Sequence, residues 1–278
     1  MLSMRVVSWN IHALRGANAA KLQSVASSIN NHRADVAVLQ EVASRGGVAV
    51  ALQRELALIG LDHFWFSGRD EVSGKRYGDK AYGNVIASRW PLQPRTWPVE
   101  SEWPQLIISA EIGQSTGVLV VGVHIPNGSG NGWEKVFALE ALAEGLQQAR
   151  LPTVLAGDFN EPKLFHPEFL SFGVDRRGKL VGDFTDLHGV THPRQRWQAA
   201  VEAVLSATDS AWGGRHVSTQ IGVEFEPTHI VGGRFERFFD HIMTAGPIRV
   251  GQVVYDHQVR LGDSPASDHS IIVAELEL

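Results

Sequence analysis

The chain has 278 residues, 44% of them hydrophobic and 20% charged, a globular composition that excludes disordered, collagenous and coiled-coil chains. Lys and Arg total 25 against 30 Asp and Glu, and the net charge of -5 argues against nucleic-acid binding through overall charge. Cysteine is absent, which excludes disulfides, thiolate zinc sites and a cysteine nucleophile; no apolar run nears the roughly 18 residues of a membrane span, and no basic-then-apolar leader opens the chain, so the expected location is the cytoplasm.

Short β-rich runs alternate with helical stretches along the whole chain. Arg5 to Trp9 reads as a first strand, and Leu22, Val25, Ala26 and Ile29 then take the spacing of an amphipathic helix. Asp35 to Leu39 is an apolar strand, Val48 to Ile59 a second helix stopped by Gly60, and Val85 to Ser88 another strand. Leu106 to Ile112 and Val118 to Val123 flank Gln114-Ser115-Thr116-Gly117, as in a hairpin. Val118 to Val123 is apolar at every position, which predicts cover on both faces. Trp133 to Arg150 is the longest helical pattern, followed by a strand at Thr153 to Ala156. Phe238 to Thr244 and Ile271 to Leu276 are the late strands, and Glu161 to Glu236 reads as a long irregular segment. No linker or repeat interrupts the chain, so residues 1–278 read as one α/β domain.

Polar residues stand where these strands end. They are Asn10, Glu41, His124, Asp158 with Asn160, Asp240, and Asp268 with His269. Singly, each has an ordinary explanation: a solvated strand end, a turn after glycine, a cap. On one rim, however, so many carboxylates would repel one another unless a cation neutralised them. Oxygen ligands without thiolates select Mg2+, Mn2+ or Ca2+ over zinc.

The runs Ser8-Trp9-Asn10-Ile11, Asp35 to Glu41, Gly83-Asn84-Val85-Ile86-Ala87-Ser88, Gly157-Asp158-Phe159-Asn160 and Ser267-Asp268-His269, in this order, resemble the endonuclease/exonuclease/phosphatase superfamily. The likeness extends from residue 5 to residue 276. It implies a four-layered α/β sandwich, two mixed β-sheets packed face to face with helices outside. It also implies phosphoester hydrolysis by water with Mg2+ or Mn2+ as cofactor. Carried over by position, Glu41 is the principal metal ligand, with Asn10 and Asp268 near the ion. Asp158 orients or deprotonates the water with help from Asn160, and His269, oriented by Asp240, meets a non-bridging phosphate oxygen. His124 occupies a place where relatives put a phosphate- or leaving-group-contacting residue.

Two departures separate the chain from abasic-site nucleases. His12 stands where those usually carry an acidic residue, and His124 where they usually carry tyrosine. Candidate substrate contacts are His12, Asn84 and the basic, Gly-rich stretch from Ser67 to Lys80, with Lys75 and Arg76 foremost. Trp197, Trp212, Arg194, Arg196, Arg215 and Arg234 read equally as a substrate clamp or as packing at the sheet edge with surface salt bridges. The expected partner is a phosphoester, with nucleic acid leading. A small or lipid-derived phosphoester is the near alternative, and a non-catalytic binding module on the same fold the alternative of another class.

Overall fold

In the central strands, alternate side chains enter different hydrophobic layers, so the sequence shows continuous apolar runs instead of alternation. The computed structural model describes residues 3–12, 19–68, 82–99, 101, 103–113, 117–127, 132–161, 183–186, 188–193, 195–210, 215–231, 235–261 and 265–278. In chain order the first half runs β1 (Ser3–Asn10), α1 (Ala19–Asn31), β2 (Val36–Ala43), α2 (Val48–Leu58), β3 (His63–Phe66), β4 (Tyr82–Ser88), β5 (Leu92–Arg95), β6 (Ile107–Ile112) and β7 (Val118–His124). There follow α3 (Gly132–Gln148), β8 (Thr153–Asp158), β9 (Phe184–Thr185), β10 (Thr191–His192), α4 (Gln195–Ser210), β11 (Arg215–His216) and α5 (Val217–Ile221). The last elements are β12 (His229–Val231), β13 (Phe235–Arg237), β14 (Asp240–Ala245), β15 (Arg249–Asp256) and β16 (Ile271–Glu277).

Two six-stranded sheets carry the fold, in the orders β15-β16-β1-β2-β4-β3 and β11-β14-β8-β7-β6-β5. Each has one parallel pair at its centre, β1 with β2 and β7 with β8, flanked by antiparallel neighbours. Val6, Val36, Val38, Val120, Val154, Ile242 and Ile272 fill the layer between the sheets. Trp9, Ala37 and Leu39 face α1 and α2, whereas Val121, Val123 and Leu155 face α3 and α4. The result is the four-layered α/β sandwich with helices outside that the motifs implied.

Helix α1 buries Leu22, Val25, Ala26 and Ile29, the residues its periodicity singled out. One expectation fails: the stretch read as irregular contains α4, a 16-residue helix. Its buried stripe is Trp197, Ala200, Val201, Val204 and Ala207, helically spaced but largely alanine, so the apolar signal was weak. Trp197 accordingly packs in the outer core instead of clamping a substrate, and Arg196 pairs with Glu140 at 2.7 Å. Lys75 and Arg76 lie outside the described residues, as do Arg194, Trp212, Arg234 and the side chain of Arg215.

Candidate active site

The carboxyl ends of the two parallel pairs meet at one rim. β1 ends at Asn10, β7 at His124 and β8 at Asp158, while Glu41 falls near the end of β2. Strand ends are where an open α/β sheet leaves side chains free of the ladder, so chemistry concentrates there. In β2 the pairing with β4 shifts register between Leu39 and Val42, and within that irregularity Glu41 takes φ 57. His12 (φ 51) and Asn160 (φ 48) share this left-handed conformation, as does Arg33 (φ 50) away from the rim. Three such residues at one rim mark backbone held against its preference by the surrounding fold. Gly157, just before Asp158, answers a close approach: a Cβ there would lie 2.0 Å from the Val123 carbonyl oxygen.

Asp158 is the hub. Its Oδ2 accepts from Asn10 Nδ2 at 2.9 Å and from Asn160 Nδ2 at 3.3 Å, and its Oδ1 accepts from the Asn160 backbone N–H at 2.7 Å. Asn160 is fixed in turn by donation to the Ile125 carbonyl at 3.0 Å. Burial, and then the charge of Asp240, push the Asp158 pKa up. Asp240 pairs directly across from Asp158 between β14 and β8, a costly juxtaposition of like charges. His269 mediates between them, with Nδ1 2.8 Å from Asp240 Oδ2 and Nε2 3.9 Å from Asp158 Oδ2. Burial opposes a charged His269 ring, but the charge and hydrogen bond of Asp240 prevail, with help from Asp158 and Asp268, and the pKa rises to about 9.

His269 is anchored to the first sheet as firmly as it is paired with the second. Its backbone carbonyl accepts from the buried Trp9 indole at 3.1 Å, and its N–H donates to Ser267 Oγ at 3.0 Å. That hydroxyl donates to the Asn10 carbonyl at 2.6 Å, joining the Ser-Asp-His turn to the end of β1.

Glu41 lies open beside this knot. Its Oε1 is 3.5 Å from Asn10 Nδ2 and 3.7 Å from His124 Nε2, both long contacts. His124 Nε2 is also 3.7 Å from Asp158 Oδ2, and its ring stacks on Tyr82 with centroids 5.4 Å apart. Asp268 sits between His12 Nδ1 at 3.0 Å and His229 Nε2 at 3.2 Å. Burial would raise Asp268, but these two imidazoles outweigh it and hold the carboxyl well below the usual carboxylate range. Contact with Asp268 raises the His12 pKa.

A hard divalent ion fits this donor set. Glu41 lacks a close donor, Asp268 Oδ1 faces the exposed His12 ring at 3.0 Å, and both carboxylates are partly open to solvent. Asn10 turns its amide nitrogen toward the carboxylates, while its Oδ1 accepts from the His12 backbone N–H at 3.0 Å. Asn84 is buried on β4 opposite the irregular stretch of β2, and its described hydrogen bonds run to Ser67 and the Leu106 carbonyl. Three neighbours carry no signal in the sequence. Tyr82 carries the His124 ring, and His229 stacks on His269 with centroids 4.2 Å apart. Lys135, on α3, ion-pairs with Glu161 at 3.0 Å and donates to the Asn160 carbonyl.

Residues 7–269 match the model of the endonuclease/exonuclease/phosphatase family. Among solved structures, an AP endonuclease from Archaeoglobus fulgidus superposes with TM-score 0.71 at 21% identity, covering 99% of this chain and 100% of that one. The 3'-5' exonuclease NExo from Neisseria meningitidis gives 0.65 at 21% identity, with 99% and 100% covered. D. rerio TDP2 complexed with single-strand DNA product gives 0.65 at 16% identity, with 100% of both chains covered. At such identities the likeness establishes the fold. The curated proteins gave no match. No described helix is long and apolar enough to cross a membrane. The family match over nearly the whole length, on a sandwich whose strand ends gather Glu41, Asp158, Asp240, Asp268 and His269, makes this chain a phosphoester hydrolase that belongs to the endonuclease/exonuclease/phosphatase family.

Proposed function

We propose that the chain is a Mg2+- or Mn2+-dependent phosphodiesterase acting as a nuclease. The observation that carries this reading is His269 held between Asp240 and Asp158, with Nε2 left to meet an oxyanion. Glu41 and Asp268 would hold the ion, with Asn10 beside them. Bound there, it would neutralise phosphate charge and make water more acidic. Asp158, its pKa raised, orients the attacking water and takes its proton as the oxygen bonds to phosphorus and the ester bond breaks, its electron pair leaving on the ester oxygen, which takes a proton from solvent. Asn10 and Asn160 keep that carboxylate in one orientation. His269 donates from Nε2 to a non-bridging oxygen, where a fixed cationic donor stabilises the charge of the transition state. His124 Nε2, close to Glu41 and Asp158, faces the phosphate or the leaving group.

Likeness to proteins whose titles name an AP endonuclease, a 3'-5' exonuclease and single-strand DNA product supports nucleic acid as the substrate. The net charge of -5 favours a second reading, a small or lipid-derived phosphoester, because a polyanion would be repelled. Hydrolysis of bis-p-nitrophenyl phosphate, p-nitrophenyl phosphate, a labelled oligonucleotide and sphingomyelin vesicles, with Mn2+ or with chelator, tests both. Ion-dependent cleavage of the diester and the oligonucleotide is expected. Cleavage of the monoester or the lipid alone supports the second reading, and cleavage of none of them overturns hydrolysis.

A further inference from the structure

Thr228 takes no part in that hydrolytic scheme, yet it joins the two backbones that carry the Asp240–His269 pair. The residue is buried and lies just before β12, in the stretch that reads as irregular. The run from Thr228 to Ile230 lies antiparallel against Asp268 to Ser270. The Ile230 N–H donates to the Asp268 carbonyl at 3.3 Å, His229 bridges to His269, and the Ser270 N–H donates to the Thr228 carbonyl at 2.7 Å. The main chain of Thr228 thus grips the turn that presents His269.

Its hydroxyl grips the other member of the pair. Thr228 Oγ1 accepts from the Asp240 N–H at 3.0 Å and from the Phe239 N–H at 3.1 Å. Strand β11 pairs with β14 only at Met243 and Thr244, and at Asp240 the hydroxyl stands in for that strand. The Thr228 N–H closes the connection by donating to the Arg237 carbonyl at 2.9 Å. Side-chain bonds alone would hold Asp240 poorly. Its Oδ2 accepts from His269 Nδ1 at 2.8 Å, whereas Oδ1 is buried with no hydrogen-bond partner among the described residues. A carboxylate pinned at one oxygen takes its direction from its backbone, and Thr228 fixes that backbone.

We propose that Thr228 is the positioning residue of the Asp240–His269 pair, its hydroxyl and carbonyl together setting how His269 Nδ1 meets Asp240 and so where Nε2 points. The inference deepens the phosphodiesterase reading and rests on it only for the phosphate that Nε2 meets. Valine in place of Thr228 keeps the shape but leaves the Phe239 and Asp240 N–H groups without their acceptor. Asp240 then loses its fixed backbone, and a misplacement of ~1 Å away from the reacting atoms can cost about 10²-fold in rate.

Two measurements on the full chain test this. In proton NMR spectra recorded in chelator, the His269 Nδ1 proton bonded to Asp240 should give a far-downfield resonance, assigned by its loss in His269→Gln. Thr228→Val should remove that resonance or move it upfield, and Thr228→Ser, which keeps the hydroxyl, should restore it. With bis-p-nitrophenyl phosphate and Mn2+, Thr228→Val should lower kcat by ~10–100-fold and leave KM unchanged, because the contact it misplaces is made in the transition state. Thr228→Ser should recover most of that loss. In an Asp240→Asn background Thr228→Val should cost far less, since no charged pair is left to position. Melting curves establish that each variant is folded, and Thr228→Ala is the second variant without the hydroxyl. An unmoved resonance in a folded chain lacking the hydroxyl overturns the proposal, as does its absence from the wild type. A loss of kcat equal in the wild-type and Asp240→Asn backgrounds overturns it too. Failure of the wild type to cleave the diester overturns the hydrolytic reading instead and leaves Thr228 to be judged by the resonance.

Discussion

The two sheets contribute unlike halves to one site. The first supplies Asn10, His12, Glu41 and Asp268, and its carboxylates are open, with side-chain exposures of 22% for Glu41 and 39% for Asp268. The second supplies His124, Asp158, Asn160 and Asp240, and its carboxylates are closed, at 2% for Asp158 and 0% for Asp240. Open carboxylates with few close donors can exchange water for an ion. Closed ones, bonded on several sides, can hold one geometry, and burial raises the Asp158 pKa whereas the two imidazoles lower that of the open Asp268. His269 belongs to the first sheet by its backbone and to the second by its ring, so it couples the halves. On the proposed mechanism the halves take different work, cation capture on one side and proton handling on the other.

Removing the open half should have the largest effect. Glu41→Ala is expected to lose most activity, and chelator to abolish turnover, both followed with the chromogenic diester. Full activity in excess chelator would end the division. In the closed half, Asp158→Asn should keep cation binding by calorimetry and lose roughly 10²–10⁴ in kcat, the range for positioned proton-transfer groups. If Asp158→Asn lost the cation instead, the two halves would not be distinct.

The open half was the more legible in sequence. Glu41 follows an apolar strand, and Asp268 and His269 precede one, so a carboxylate at a strand end is visible without knowing its neighbours. Asp158 is visible for the same reason. The contacts that define these residues were not. Asp240 meets His269 29 residues away and His229 meets Asp268 39 residues away, and no local period encodes such pairings. Strand β15 escaped notice because its outer residues are exposed in no strict alternation, and α4 because alanine carries much of its buried stripe. Lys135 and Glu161 carry no sign of burial in the sequence, yet both are buried.

That ion pair exposes a further difference between the halves. Lys135, 3% exposed, and Glu161, fully buried, brace the loop after β8, with the Trp197 indole also donating to Glu161 at 3.2 Å. The described contacts of Glu41 include no such brace. Lys135→Met would leave Glu161 charged in the core without its cation and should cost about 3–5 kcal/mol by denaturant unfolding. The double variant Lys135→Met/Glu161→Gln should recover much of that loss. A single variant as stable as wild type would mean that the closed half does not depend on this pair.

The smallest effect concerns the strained backbone, and here the halves should respond with opposite signs. Glu41 and Asn160 both sit left-handed, at φ 57 and 48. A left-handed residue other than glycine costs roughly 1–2 kcal/mol, while glycine's added freedom in the unfolded chain returns about 0.4–1 of any relief. Glu41→Gly gives up the long contacts with Asn10 at 3.5 Å and His124 at 3.7 Å and relieves carboxylate repulsion, so the cation-free variant should gain up to about 1 kcal/mol. Asparagine tolerates this conformation better than glutamate, so Asn160→Gly gains less, and it loses the bonds from Nδ2 to Ile125 and Asp158. At about 1 kcal/mol for each bond, that variant should fall by roughly 1–2 kcal/mol. Thermal melts of both in chelator read the difference. Stabilisation of both variants would mean that strain is stored alike on the two sides. Destabilisation of both would mean that Glu41 is tied into the fold as tightly as Asn160, and the open half would not be open.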